Sequence, residues 1–224
     1  MQNGQPPPRP AVFRHLPALP LAVWALILVT CLPELVLEAA DHRLLGTPAW
    51  RPLTYQYAAF WAGLWHGWRP NYAAQPWLMA LTYAVLHGGA GHLAGNMLTL
   101  AGLGRIAVDR VGQSRFLLLY ALSALGGGIG FGLLTTSPSP MVGASGALFG
   151  LTGAWLYWEA HDRKQAGFGR WMLVLVVTSG LVAMNAMMWA TTAGLLAWET
   201  HLGGFVAGWF VAAALQAVAR PDPP

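Results

Sequence analysis

MVGASGALFG, residues 141–150, sets a serine between glycines at the head of an apolar run. Three glycines in ten residues make a poor isolated helix, because each costs about 1 kcal/mol relative to alanine. A hydroxyl in apolar surroundings is also costly unless something accepts its hydrogen bond. The stretch is therefore either the close-packed head of a membrane helix carrying an incidental hydroxyl, or the seat of a nucleophile. Composition supplies the setting. Of 224 residues, 56% are apolar and 9% are charged, 12 are tryptophan, and the mean hydropathy is +0.48. A soluble domain carries about 25% charged residues, so this is the profile of a polytopic membrane protein with one integral domain. A single cysteine, Cys31, excludes an intrachain disulfide and a cysteine metal cage. The net charge of +4 comes from basic residues scattered singly between apolar runs, which is a topology signal and not a nucleic-acid-binding stripe.

A membrane-crossing helix needs about 20 apolar residues. Outward from 141–150, the runs predict six transmembrane helices, at about 18–38, 90–108, 115–134, 143–160, 170–190 and 199–219. The first is read as broken late by Pro33, with Glu34 and Glu38 at its far end. Residues 1–15 are proline-rich and read as a disordered N-terminal tail. A signal peptide is the competing reading, but the apolar run continues to Ala40 without a good small-x-small cleavage site, and an anchor helix fits better. Between the first two helices, residues 41–76 mix Trp, Tyr and Arg and read as an outer, partly embedded interfacial loop that 77–87 extends. Residues 16–219 thus form one all-α membrane domain, with 220–224 as a C-terminal tail. With the N-terminus inside, nine basic residues fall inside and three outside, so the positive-inside rule places both termini on the cytoplasmic side. Ser145, His201 and the 41–76 loop then share the outer side.

Polar groups within membrane helices are expensive and mark function by default. The candidates are His92 and Asn96 in GHLAGNM, Ser145, and His201 in ETHLGGFVAGWF. His92 and Asn96, four apart, share a helix face. Serine becomes a nucleophile when an adjacent base takes its proton, and histidine is the usual base. Attack on an amide creates an oxyanion that needs preorganised donors, which His92, Asn96 and the Ser145 backbone N–H can supply at a helix head. Gly146 and Gly150 form one GxxxG spacing and Gly204 and Gly208 another, a pattern that lets helices approach closely in lipid. Close contact of the fourth and sixth runs brings Ser145 within reach of His201. Each feature alone has a blander reading: helix packing, a serine bonded to its own helix, or an interhelical His–Asn clasp. Their joint placement favours acyl transfer. A site holding a metal through His87, His92 and His201 is the rival, but HGGAGH lacks the helical HExxH arrangement and its glutamate base. His15, His42, His66 and His161 read as tail or loop residues.

GASG heading one helix, His-x-x-x-Asn at His92 and Asn96, and His-x-x-Gly-x-x-x-Gly at His201, Gly204 and Gly208 resemble the rhomboid intramembrane serine proteases. His87 matches a histidine often found there. The resemblance covers about residues 20–219 in the six-helix prokaryotic form. It implies a cofactor-free, metal-free protease with a Ser145–His201 dyad and no acidic third member. It also implies a water-filled cavity below the outer surface of a cell membrane, and substrates that are transmembrane or membrane-proximal segments of other proteins. A gate around Met184–Trp189 and the 135–142 loop is implied as well. Gly143 is expected to free the backbone at the helix head. Two family features differ. Trp77 is followed by Leu78 and not by arginine, and Phe149 stands where a tyrosine commonly stacks on the base. Glu199, two residues before His201, does not face it on a helix and reads as an interfacial carboxylate. The alternatives are a non-catalytic rhomboid-like binder of membrane proteins and a small transporter or channel.

Overall fold

The computed structural model describes residues 18–163 and 167–218. The tails expected at 1–15 and 220–224 lie outside the described residues. Every regular element among the described residues is a helix, apart from a single antiparallel bridge between Phe60 and Met141. Its helices are α1 (Leu21–Asp41), α2 (Trp50–Ala58), α3 (Gln75–Thr82), α4 (Ala90–Val111), α5 (Gln113–Leu134), α6 (Ser145–Asp162), α7 (Phe168–Thr191) and α8 (Trp198–Val218). Short 3₁₀ turns stand at Ala62–Trp65 and Tyr83–Val85. Four of the helices, α1, α5, α7 and α8, are long and apolar enough to cross a membrane.

Two boundaries differ from the sequence expectation for identifiable reasons. Pro33 does not break α1, which runs on to Asp41. Proline forfeits one backbone hydrogen bond, a loss that long apolar helices accommodate when neighbouring groups re-satisfy the freed carbonyl. No loop separates the second and third apolar runs. Gly112 alone joins α4 to α5, at φ +80°, a conformation open to glycine at little cost. Arg105 and Arg110 therefore lie within α4 and Arg115 within α5, and His161 sits in the last turn of α6 rather than in a loop.

The core is assembled around α6. The closest pairing is α6 with α8, followed by α5 with α8 and α5 with α6. Glycine makes this possible. A Cβ at Gly204 would overlap the carbonyl oxygen of Gly146, and one at Gly208 would overlap that of Gly150. On the other side of α8, a Cβ at Gly203 would overlap the carbonyl of Gly126 on α5. Backbones in direct contact maximise van der Waals packing where lipid tails offer no hydrophobic drive. By contrast, none of the described side chains of α7 is buried, and its principal neighbour is α6.

The region between α1 and α4 is folded, not an irregular loop. Arg51 on α2 pairs with Glu34 at 2.8 Å and with Glu38 and Asp41, all on α1, and donates to the His87 carbonyl. Burial opposes the charge on Arg51, but its bonds to Tyr55, Asp41 and Glu34 hold the guanidinium above its ordinary range. Burial raises the Tyr55 phenol, which itself donates to the His87 carbonyl. Glu38 accepts from the Ala90 N–H at the head of α4. This network pins the 85–90 segment against α1 and so fixes where α4 begins.

Candidate active site

Three helix heads, those of α4, α6 and α8, converge at the same end of the bundle. Ser145 is the first residue of α6, and His201 lies in the first turn of α8, 5% exposed. The α6–α8 glycine contact brings His201 Nε2 to 2.9 Å from Ser145 Oγ. The first N–H groups of α6 have no carbonyl partner within the helix and carry the positive end of its dipole. Just upstream, Gly143 adopts φ +129°, and a Cβ there would stand 2.7 Å from His92 Cε1. Glycine is required twice over, by conformation and by the approach of the imidazole. Tyr83 O accepts from the Gly143 N–H at 3.0 Å, and the Phe60–Met141 bridge holds the segment before it.

His92 and Asn96 line the same cavity as Ser145 and His201, about 1130 Å³ in volume. Each is oriented from behind. Gly88 N–H donates to His92 Nδ1 at 3.3 Å, which leaves Nε2 as the protonated nitrogen. Asn96 Nδ2 donates to His87 Nε2 at 2.8 Å, and the Ala144 N–H reaches the same nitrogen at 3.4 Å. His87 is fully buried. Burial, with the neighbouring His92 adding to it, pushes its pKa down to about 3. It stays neutral and acts as the acceptor that aims the Asn96 amide. The rings of His87 and His92 meet edge to face at 5.0 Å.

Phe149, one turn along α6 from Ser145, stacks on His201 with centroids 4.1 Å apart and planes 6° from parallel. Met184, Met188 and Trp189 of α7 and part of the 135–142 segment line the cavity wall. Glu199 is 8% exposed in the cavity wall, and Gly130 of α5 lies close against its backbone carbonyl.

One residue escaped the sequence reading. Asn185 on α7 places Oδ1 2.6 Å from His201 Nδ1. The signal was available: Asn185 is the lone amide in the fifth apolar run, and an amide within a membrane helix demands a partner. Together with His201, Phe149 and Trp189 it also lines a second, apolar cavity of about 540 Å³ between α6, α7 and α8.

The arrangement offers a hydroxyl bonded to an imidazole, with N–H donors grouped nearby. Known proteins are similar to this chain. Rhomboid protease GluP of Bacillus subtilis is 36% identical over 144 residues, covering 62% of this chain and 26% of the relative. RHOMBOID-like protein 5 of Arabidopsis thaliana is 34% identical over 133 residues, covering 56% of this chain and 40% of the relative. The chain thus spans less than half the length of either relative. The Rhomboid domain matches residues 74–217, well over half of the chain, from α3 to the end of α8. This integral membrane protein belongs to the rhomboid family.

Proposed function

We propose that the protein is an intramembrane serine endopeptidase that cuts transmembrane or membrane-proximal segments of other membrane proteins. The observation that carries this reading is the 2.9 Å hydrogen bond between Ser145 Oγ and His201 Nε2. His201 takes the proton from Ser145 as Oγ attacks the substrate carbonyl carbon. The resulting oxyanion is held by His92 Nε2–H, Asn96 Nδ2–H and the Ser145 backbone N–H, donors fixed before the charge develops. His201 then gives its proton to the leaving amine nitrogen, the peptide bond breaks, and an acyl-enzyme remains. Water attacks the acyl carbon, His201 accepts the water's proton, and Ser145 is released with its hydroxyl restored. The residues complete this cycle without a metal or cofactor.

In this reading α1, α4, α5, α6, α7 and α8 are the six membrane-crossing helices of a domain spanning 16–219. The α2–α3 region is embedded in the outer leaflet, and both termini lie in the cytoplasm of a prokaryotic cell. The site then opens near the outer face. α7 around Met184–Trp189 and the 135–142 segment border the path by which a substrate enters. The non-catalytic alternative gains nothing from a serine and a histidine kept in hydrogen-bond contact.

The test uses a fluorophosphonate probe on the purified protein, with the labelled residue located by mass spectrometry. Label is expected on Ser145 and absent in His201→Ala. An unlabelled, folded sample that also spares a panel of transmembrane substrates would overturn the reading.

A further inference from the structure

Phe149 fixes the plane of the His201 ring by stacking, but a stacked ring can carry its proton on either nitrogen. Catalysis by Ser145 requires Nε2 to be the bare one. The choice is made from α7. Asn185 Nδ2 donates to the Leu181 carbonyl one turn back, at 2.9 Å. A carbonyl only accepts, so the amide cannot turn over without losing that bond, and Oδ1 is the atom that faces His201. Oδ1 carries no hydrogen, so the 2.6 Å contact is a hydrogen bond only when Nδ1 bears the proton. A neutral imidazole has one N–H, and Nε2 is then left with its lone pair toward Ser145. The opposite tautomer would set two lone pairs against each other and aim an N–H at the hydroxyl it should deprotonate.

We propose that Asn185 is the positioning residue of this site: its side-chain carbonyl holds His201 in the Nδ1–H tautomer that can accept the Ser145 proton. The proposal rests on the protease reading above. As Ser145 gives up its proton, the Nδ1–H bond to Asn185 becomes charge-assisted and strengthens. A neutral amide here takes the orienting place that a carboxylate fills in a three-membered serine triad.

The experiment compares the wild-type chain with Asn185→Leu and Asn185→Asp in detergent micelles. Substrate cleavage and fluorophosphonate labelling are measured alongside ¹⁵N NMR of histidine-labelled protein, with His201→Ala assigning the His201 signals. In the wild type, the His201 signals should show a protonated Nδ1 and a bare Nε2. In Asn185→Leu that pattern is lost, kcat falls about 10- to 100-fold, and KM holds. The loss is smaller than the ~10⁴-fold of an inverted tautomer, because the correct form stays accessible without its partner. Asn185→Asp, which keeps an acceptor at the same place, retains both the pattern and the bulk of the rate. A wild-type Nε2–H signature, a leucine variant with unchanged tautomer or rate, or an aspartate variant as slow as leucine overturns the proposal. A folded wild type that neither labels at Ser145 nor cuts the substrate panel overturns the protease reading, while the NMR pattern still decides whether Asn185 sets the tautomer.

Discussion

The seam between α6 and α8 and the flank formed by α7 are built on opposite principles. At the seam, Gly146 and Gly150 meet Gly204 and Gly208 with no side chain between them, and nothing can move without backbone overlap. On the flank, α7 buries none of its described side chains, turns Val182 and Met187 outward, and leaves an apolar cavity between itself and α8. Ser145 and His201, the proposed nucleophile and base, stand on the tight region. Asn185, proposed to orient the base, stands on the loose one. In that proposal the distance between reacting atoms is fixed by packing, whereas access and orientation are left to a helix held by few contacts.

Four substitutions test that division, in descending order of effect. Ser145→Ala should remove turnover, on the order of 10⁶-fold, while thermal unfolding followed by tryptophan fluorescence stays near wild type. A collapsed fold would mean that the hydroxyl also serves the seam. Asn96→Ala should lower kcat about 10²–10³-fold, the usual loss for one oxyanion donor. Unchanged kcat in a cleavage assay would remove Asn96 from the reacting centre. Gly204→Ala should cost about 1–3 kcal/mol or more, because the added methyl meets the backbone of Gly146 and not a side chain that can yield. A denaturation midpoint equal to wild type would show that the seam has slack. Val182→Ala, at a side chain 69% exposed on α7, should shift stability by no more than about 0.5 kcal/mol. A larger shift in the same measurement would mean that the flank is packed after all.

Much of this was legible in the sequence where a rule is local. Apolar length marked the long helices, and helical spacing put His92 with Asn96 on one face and His201 with Gly204 on another. What the sequence could not carry was contact between segments far apart along the chain. The meeting of Arg51 with Glu34, 17 residues away, depends on how α2 folds back on α1. Gly203 against Gly126 joins helices whose facing surfaces no spacing rule relates. Glu199 reads from its position as a helix-end carboxylate reaching for water, and that α5 packs against its backbone could not be read from spacing. Asn185 was passed over because a single amide amid methionine and valine reads as incidental until its partner is in view.

The length of α7 carries one more consequence. At 24 residues it extends about 36 Å, longer than the ~30 Å hydrocarbon layer of a typical bilayer. A helix that is too long tilts, and the tilt follows bilayer thickness. The tightly seamed helices resist that pull, while α7, anchored by so little, answers to it. In the proposed six-helix arrangement, acyl-chain length would thereby reach the Asn185–His201 bond. In vesicles of graded lipid thickness, cleavage should vary through kcat while Asn185→Leu responds little. The surrounding lipid, at no point a ligand, would then act on the catalytic base.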